Sequence, residues 1–404
     1  MMYKSQNFLI DGYNPEKLAK KYATPLYCYS YKKIKDNIKS FKRSFNSINH
    51  ITCFSVKSNP NKILLKEIGK LGLGADVVSK GELMRALKSG IKAKKIVFSG
   101  VGKTSEEINY AIEKNILLIN AESKSEILEI ERIAKNKKKE VDIGVRLNPN
   151  TDAETLSQIS TGKKENKFGI SEKKFLELAK YSINSKHLNL KCLSVHIGSQ
   201  ILNHKPYQRM LNVIEKILKK MKYQFQYIDL GGGMGIDYDD KDKKLSFKKY
   251  NQSIKRFLKK NKSKIIFEPG RSIIGNTGFL VTKIIYIKEG YKKDFIILDA
   301  AMNDLMRPAL YGAKHRLLPV RKNKKRSKKT YEFVGPICES TDKFSTLKKF
   351  QILKENDLIL ICDVGAYGMS LSSNYNLRPK AAEIMIKNSK IKLISKRQKL
   401  KDLI

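Results

Sequence analysis

Short apolar runs that are typical of buried strands alternate with amphipathic stretches over the first two thirds of the chain. Eight such runs follow one another, at residues 51–56, 75–78, 96–98, 117–119, 143–147, 192–197, 227–230 and 265–267. Between them, apolar residues fall at helical spacing, and several of these stretches begin with a capping-box pattern such as Thr104-Ser105-Glu106-Glu107. Eight repeats of strand and helix predict an α/β protein built on a (β/α)8, TIM-like barrel. A doubly wound open sheet is the alternative, and the count of eight favours the barrel.

The pattern changes after about residue 278. Strand-like runs at 279–287, 295–298, 332–334, 358–363 and 382–386 follow with few convincing helices. They predict a C-terminal β-rich domain, either a β-barrel or a sandwich. A further strand-like run at 26–29 links the N-terminus to this part. We therefore expect a barrel at 31–278, and a β-rich domain formed by 1–30 together with 279–404.

The barrel prediction makes the residues that follow each run important, because active-site groups lie at the carboxyl ends of barrel strands. All eight ends carry a polar or glycine residue: Lys57, Ser79, Ser99, Asn120, Asn148, His196, Gly231 and Glu268. The last three ends are the richest in groups that can do chemistry. The sequence thus points to one mouth of the barrel as the candidate site.

Lys57 ends the first apolar run and is followed by Ser58-Asn59-Pro60, which is turn chemistry. A lysine at the end of a buried strand is partly desolvated, and desolvation favours the free amine needed for Schiff-base chemistry. The alternative is a solvated lysine in a turn. Position, rather than residue type, makes Lys57 a candidate.

Three further strand ends carry candidates, each with a simpler alternative. Gly231-Gly232-Gly233-Met234-Gly235 lets backbone N–H groups approach an anion but lacks the Lys-Ser/Thr of a P-loop, and it can equally be a tight turn. Glu268 can hold a protonated ring nitrogen at the barrel mouth, or pair with the nearby Arg271. His196 lies between these candidates, although a lone histidine is more often structural.

Composition narrows the classes of function. The formal charge of +43 allows a nucleic-acid-binding module. Only 13 residues are arginine, however, the lysines are scattered, and the densest basic run, 321–329, is typical of a solvated loop. No apolar run approaches the roughly 18 residues that cross a bilayer, and residues 1–14 lack a signal-peptide layout. We expect a cytoplasmic protein that binds neither membrane nor nucleic acid.

The five cysteines are odd in number and show no Cys-x-x-Cys spacing, which argues against a disulfide framework and against a structural metal site. Four of them lie in or beside apolar runs, where cysteine usually acts as a small hydrophobic residue. Cys338, in Gly335-Pro336-Ile337-Cys338-Glu339-Ser340, is the exception.

Taken together, eight stretches of the chain resemble the fold-type III pyridoxal-phosphate decarboxylases, and most closely the diaminopimelate decarboxylase family. They are residues 54–59, 75–81, 196–200, 229–235, 268–272, 307–311, 335–342 and 363–368. They occur in the family's order and span essentially the whole chain. The resemblance implies pyridoxal 5'-phosphate as cofactor and decarboxylation of meso-2,6-diaminopimelate to L-lysine and CO₂.

The resemblance also implies roles for individual residues. Lys57 would hold the cofactor covalently, His196 would cover one face of its ring, and Glu268 would lie at the ring nitrogen. The other implied cofactor ligands are Asp76, Ser199, Gly232, Gly233, Gly270, Arg271 and Tyr367. The implied substrate ligands are Arg271, Arg307, Tyr311, Glu339 and Tyr367. Lys57, His196 and Cys338 would be catalytic, with Cys338 as a proton donor.

In this family Cys338 and Glu339 would come from the second subunit of a homodimer whose active sites are shared. Other functions remain possible from the sequence alone. A related decarboxylase could act on ornithine, arginine or a carboxylated polyamine, although Glu339 and the Arg307–Tyr311 pair favour diaminopimelate. A non-catalytic cofactor-binding protein of the same barrel type is a further alternative.

Overall fold

The chain folds into two compact units in a computed structural model that describes residues 2–238 and 244–404. One unit comprises residues 38–236 and 244–272, and the other comprises 2–37, 237–238 and 273–404. The predicted division, at 30/31 and 278/279, lies seven and six residues from these boundaries, and it does not assign 237–238 to the second unit.

The strands of the described chain, in order, begin with β1 (Met2–Lys4), β2 (Asn7–Leu9) and β3 (Leu26–Ser30). The next eight are β4 (His50–Ser55), β5 (Gly74–Val77), β6 (Ile96–Phe98), β7 (Leu118–Ala121), β8 (Val141–Arg146), β9 (Leu188–Ser194), β10 (Tyr227–Asp229) and β11 (Lys264–Phe267). The remainder are β12 (Gly278–Lys288), β13 (Lys293–Leu298), β14 (Leu317–Pro319), β15 (Thr330–Val334), β16 (Lys343–Leu347), β17 (Leu358–Cys362), β18 (Ala382–Lys387) and β19 (Lys390–Ser395).

Strands β4 to β11 close into a parallel barrel in which β11 pairs with β4. The eight predicted runs and the (β/α)8 fold are confirmed. Apolar side chains from several strands fill the barrel interior, among them Cys53, Val97, Cys192 and Ile266. The in-register parallel pairing brings the carboxyl ends of neighbouring strands together, which creates the mouth that the sequence indicates.

The helices are α1 (Pro15–Tyr22), α2 (Tyr31–Ser44), α3 (Lys62–Lys70), α4 (Lys80–Lys88), α5 (Ser105–Glu113), α6 (Lys124–Asn136), α7 (Glu172–Asn184), α8 (Lys205–Met221), α9 (Phe247–Leu258), α10 (Arg271–Ile274) and α11 (Arg307–Tyr311). The reciprocal capping box predicted at Thr104 and Glu107 is present. At α4 the box is altered: Ser79 accepts from the Glu82 N–H, but the Glu82 carboxylate accepts from the Val78 N–H, one residue before the cap. α6 repeats this variant, because Glu126 accepts from the Glu122 N–H.

Aromatic rings pack the outer helices onto the last barrel strand. Phe267 of β11 meets Phe41 of α2, and Phe45 directly after α2, at ring-centroid distances of 5.6 and 4.7 Å. Tyr250 of α9 adds a contact at 6.2 Å to Phe267 and stacks on Tyr207 of α8 at 4.3 Å. Each ring is fully buried. Such buried aromatic pairs contribute roughly 0.5–1.5 kcal/mol each beyond their area, and here they fix the strand that ends at Glu268.

The second unit is built on a mixed sheet in the order β16-β15-β13-β12-β3-β18-β19, with β17 also paired to β12 and to β14. The long strand β12 pairs with β3 and β17 through its first half and with β13 through its second. A register shift between Ile284 and Tyr286 marks the change of partner. The β-rich architecture expected for the C-terminal part is confirmed, and β3 brings the N-terminal segment into it.

Three smaller expectations can also be compared with the structure. Residues 321–329 form a mostly exposed loop between β14 and β15, as predicted. The five cysteines are free; Cys28, Cys53, Cys192 and Cys362 are buried, and Cys338 is exposed. Within the described residues, no helix combines the length and the apolar character needed to cross a bilayer.

Candidate active site

Lys57 lies in a single 3-10 turn, Val56–Ser58, directly after β4. The turn is held by the residues that the sequence marks as turn formers: Ser58 Oγ donates to the Ser55 carbonyl at 2.7 Å, and the Asn59 N–H donates to the Val56 carbonyl at 3.0 Å. Val56 and Ser58 are buried on either side, while the Lys57 side chain keeps 37% of its surface exposed. The lysine therefore projects from a rigid turn into a partly open mouth.

A buried carboxylate receives the Lys57 amine. Lys57 Nζ lies 2.6 Å from Asp76 Oδ2, and Asp76 is fully buried at the end of β5. The β4–β5 register places Ser55 opposite Asp76, and Ser55 Oγ lies 2.8 Å from the same carboxylate oxygen. The other oxygen, Asp76 Oδ1, is buried and meets no hydrogen-bond partner within the described part of the chain.

A polar network crosses the barrel beneath Glu268. The β9–β10 register pairs Ser194 with Asp229, and Ser194 Oγ donates to Asp229 Oδ2 at 3.1 Å. Asn120 Nδ2, from the end of β7, donates to the same oxygen at 2.9 Å. Ser99 Oγ lies 3.5 Å from Glu268 Oε1, and Asp229 and Glu268 share a hydrogen bond.

The protonation of this group follows from its burial. Burial raises the pKa of Glu268 well above its usual range, and the neighbouring Asp229 and Asp76 carboxylates raise it further. Burial likewise raises the pKa of Asp229, to about 6. Near neutral pH the Asp229–Glu268 pair therefore retains a proton. A cationic group placed against Glu268 would favour its ionised form and offset the repulsion from the Asp229 and Asp76 carboxylates.

The glycine turn that follows β10 fixes the orientation and the tautomer of the His196 ring. Its Nδ1 accepts the Gly232 N–H at 3.1 Å, so that nitrogen carries no proton. Burial lowers the pKa of His196 well below its usual value, with Arg146 and Lys57 acting in the same direction. The ring is therefore neutral, with its proton on Nε2.

The predicted Gly231–Gly233 stretch is a tight turn in which side chains cannot be accommodated. A Cβ at Gly231, where φ is +63°, would meet His196 Nδ1 at 2.5 Å. A Cβ at Gly232 would meet the Glu268 carbonyl oxygen at 2.1 Å. The glycines thus allow the backbone to pass between the histidine and the end of β11.

Arg146, at the end of β8, is paired with a buried carboxylate. Its Nη1 lies 2.8 Å from Glu122 Oε1, and its guanidinium lies 5.1 Å from the centre of the Phe168 ring. Glu122 also accepts the N–H groups of Gly100 and Gly169, at 3.1 and 2.9 Å. Glu122 therefore ties three segments of the mouth together and holds Arg146 beside His196.

The remaining barrel candidates lie around the start of α10. Arg271 is buried, and its Nη2 donates to Ser199 Oγ at 3.0 Å, which brings together two residues that were predicted separately. A Cβ at Gly270 would come within 3.0 Å of Ser55 and Ser58, so this glycine packs against the turn that carries Lys57.

The other unit holds the remaining predicted residues. Arg307 begins the short helix α11 and is buried, whereas Tyr311 ends it and is half-buried. Arg307 Nη1 lies 2.8 Å from His315 Nε2. Tyr367 is half-buried and adopts a left-handed backbone with φ of +57° directly before Gly368.

Cys338 and Glu339 lie in an exposed loop shaped by a buried carboxylate. Asp342 accepts the Met302 N–H at 2.7 Å and the Ile337 N–H at 2.8 Å, which fixes the loop around them. Asn376 Nδ2 donates to Cys338 Sγ at 3.4 Å, and Tyr375 Oη donates to Glu339. The loop therefore presents a thiol and a carboxylate at its surface.

Sequence reasoning did not give roles to several residues that the structure places in these groups. Ser55, Asn120, Asp229, Arg146 and Glu122 join the barrel group, and His315 joins Arg307. Four of the first five end barrel strands, and Glu122 follows one, so their position along a strand was a usable signal. His315 had no such signal, because its contact with Arg307 depends on the fold of the second unit.

Comparisons with known proteins agree with this arrangement. Residues 31–275 match the family of the pyridoxal-dependent decarboxylases, pyridoxal binding domain. The chain is 38% identical to the diaminopimelate decarboxylase of Aquifex aeolicus over 400 residues, covering 98% of this chain and 94% of the relative.

Two solved structures are similar over nearly the whole length. The crystal structure of diaminopimelate decarboxylase from Helicobacter pylori complexed with L-lysine has a TM-score of 0.92 at 41% identity, covering 96% of this chain and 98% of that one. That of diaminopimelate decarboxylase from M. jannaschii in co-complex with L-lysine has a TM-score of 0.93 at 34% identity, covering 99% and 96%. The barrel, the lysine at its mouth and these matches together show that the chain belongs to the diaminopimelate decarboxylases, which are pyridoxal-dependent enzymes.

Proposed function

We propose that this protein decarboxylates meso-2,6-diaminopimelate to L-lysine, with pyridoxal phosphate held on Lys57. The observation that carries the proposal is the pairing of Lys57 with buried Asp76 at the end of β4 and β5, beside the acid pair of Asp229 and Glu268. The family match and the relatives of similar length support the same reaction.

The barrel group suits the cofactor on structural grounds. Its buried carboxylates outnumber the one lysine amine that meets them, and Glu268 is held with a raised pKa, so a protonated ring nitrogen would find a matching acceptor there. Asp76 Oδ1 offers a further buried acceptor. Ser199 and Arg271, together with the Gly231–Gly233 turn, supply donors and close backbone approach for a phosphate.

Pyridoxal phosphate, when bound, supplies an electron sink for the electron pair left behind as CO₂ departs from an amino acid. The chain's own groups prepare the site for that chemistry. Glu268 would keep a proton at the ring nitrogen, and Asp76 positions the Lys57 amine. His196 is neutral and, by the family resemblance, would lie against the ring, where it would add no positive charge.

By the same resemblance, Arg271, Arg307, Tyr311, Glu339 and Tyr367 bind the substrate. Arginine has a planar fork that matches a carboxylate. Diaminopimelate keeps a second carboxylate and an ammonium at the end that does not react, and Arg307 and Glu339 offer the complementary charges. Ornithine has no second carboxylate and would leave one arginine without its partner.

We further infer a homodimer in which the partner completes each site with Cys338 and Glu339. Support comes from the exposure of both residues. It also comes from the exposed apolar side chain of Leu377, which directly follows Asn376, the residue that donates to Cys338. Apolar groups around a polar site are typical of a surface that a second subunit covers. In that dimer, Cys338 Sγ delivers the proton that replaces CO₂ at the α-carbon.

The substrate assignment predicts a clear preference. Initial rates of CO₂ release should give a kcat/KM for meso-diaminopimelate at least about 100-fold above that for L-ornithine, because a site with buried groups for a carboxylate rejects an analogue that lacks it. L-arginine serves as a second comparison. Faster release from ornithine would reject diaminopimelate as the substrate.

Glu268→Gln should lower kcat by roughly 100- to 1,000-fold with little change in cofactor content, since the amide cannot share a proton with the ring nitrogen as a carboxylate does. The measurement is kcat with meso-diaminopimelate, with bound cofactor determined by absorbance. Glu106→Gln, at an exposed position on α5, is the matched control. A kcat close to that of the native protein would reject the assignment of Glu268 to the ring nitrogen.

A further inference from the structure

Arg307 is held by two buried side chains that neither the sequence motifs nor the family resemblance assigns a role. Arg307 Nη1 lies 2.8 Å from His315 Nε2. The guanidinium carbon lies 4.6 Å from the centre of the Tyr238 ring, and the rings of Tyr238 and His315 meet edge to face at 5.1 Å. Each of the three side chains is buried. All of them belong to the same unit.

The protonation of His315 follows from its second contact. Its Nδ1 lies 2.8 Å from the backbone carbonyl of Cys362, and a carbonyl oxygen can only accept. Nδ1 therefore carries the proton and donates. In a neutral ring Nε2 then bears a lone pair, and it accepts from the Arg307 guanidinium. A doubly protonated ring would instead turn an N–H toward a cation, so the observed contact requires neutral imidazole.

The acceptor is anchored in the sheet. The Cys362 carbonyl belongs to β17, and the Cys362 N–H donates to the Arg316 carbonyl at 2.9 Å. Leu317, which begins β14 two residues after His315, pairs with Ile361 of β17. His315 thus connects Arg307 to a strand whose position is set by backbone hydrogen bonds.

The two contacts constrain the guanidinium in different directions. The hydrogen bond from Nη1 fixes the rotation of the planar group about its own axis. The Tyr238 ring supports one face of the plane through a cation–π contact. A long arginine side chain otherwise has several rotamers of similar energy, and ordering it on binding would weaken affinity.

We propose that His315 is a positioning residue which, with Tyr238, holds the Arg307 guanidinium ready for a substrate carboxylate. This rests on the proposed function in so far as Arg307 is taken as a substrate ligand. A positioning residue of this kind acts on the binding of the carboxylate-bearing end. It therefore changes KM much more than kcat.

The test compares three variants. His315→Phe keeps an aromatic ring for Tyr238 but removes the acceptor, and His315→Gln restores an acceptor oxygen near the place of Nε2. His187→Phe, at the residue before β9 and at the end of the barrel opposite the mouth, is the control for loss of a histidine.

We expect His315→Phe to raise KM for meso-diaminopimelate by about 10-fold or more, the size of effect seen when a hydrogen bond to a charged group is lost. Its kcat should stay within about two-fold, and His315→Gln should recover most of the KM. An unchanged KM in His315→Phe, a fall in kcat as large as the rise in KM, or a failure of glutamine to recover KM would each overturn the proposal.

A structural readout separates this proposal from the proposed function. If native protein releases no CO₂ from diaminopimelate, the proposed function fails, and crystal structures of the native and His315→Phe proteins then decide the positioning role. A guanidinium moved from its native position by more than about 1 Å supports it. An unmoved guanidinium overturns it. Should His315→Phe not fold, His315→Gln and His315→Asn are compared in the same way.

Discussion

Replacement of Lys57 by alanine is expected to abolish measurable turnover, with kcat for diaminopimelate lowered by at least about 10,000-fold, because it removes the nucleophile that holds the cofactor. The structure gives Lys57 a setting that suits this role. Its amine meets the fully buried Asp76 at 2.6 Å, and its turn is fixed on both sides by buried residues. The measurements are kcat, and the visible absorbance of the purified protein.

The matched control is Lys66→Ala, an exposed lysine on the helix that follows the turn. It should keep native kcat and native absorbance. Thermal unfolding verifies that the Lys57 variant is folded, since the substitution leaves the buried Asp76 carboxylate without its cation. Native turnover in Lys57→Ala would show that the chemistry takes place elsewhere.

The second large effect is recovery of activity when two inactive variants are mixed. Lys57→Ala and Cys338→Ala should each be nearly inactive alone. After subunit exchange, random pairing makes half of the dimers mixed, and each mixed dimer contains one intact site, so about a quarter of native activity should return. The exposed position of Cys338, remote in the chain from the barrel mouth, is what makes this exchange informative.

A pair of barrel variants provides the control for that experiment. Lys57→Ala mixed with Glu268→Gln should recover nothing above the Glu268→Gln level, because both defects lie in the same unit and each mixed site carries one of them. Exchange is verified beforehand by mass spectrometry of subunits of different mass. No recovery in the Lys57–Cys338 mixture after verified exchange would show that each site is built from a single chain.

The barrel was predictable because its strands are buried on both faces. Buried parallel strands give continuous apolar runs, and each run here ends in a polar or glycine residue. Two of the strands that were not predicted are of another kind. β16 (Lys-Phe-Ser-Thr-Leu) and β19 (Lys-Ile-Lys-Leu-Ile-Ser) lie at the sheet edges and carry polar or lysine side chains, which blur the apolar pattern.

In the candidate site, too, some features could be predicted from the sequence and others could not. Lys57, His196 and Glu268 could be found because each stands at a strand end. Asn120 and Asp229 also lie at or next to strand ends, but the network that they form with Ser194 could not be predicted, because it depends on the register that sets Ser194 opposite Asp229. The contact between Arg307 and His315 was equally hidden, because eight residues separate them in the chain and neither lies in a regular strand.

The most direct test of the account is to locate the cofactor on the chain. Native protein is loaded with pyridoxal phosphate, reduced with borohydride, digested, and analysed by peptide mass spectrometry. The account predicts one stoichiometric pyridoxyl modification, on Lys57, and its loss in Lys57→Ala. Modification centred on another lysine, or spread thinly over many, would contradict it.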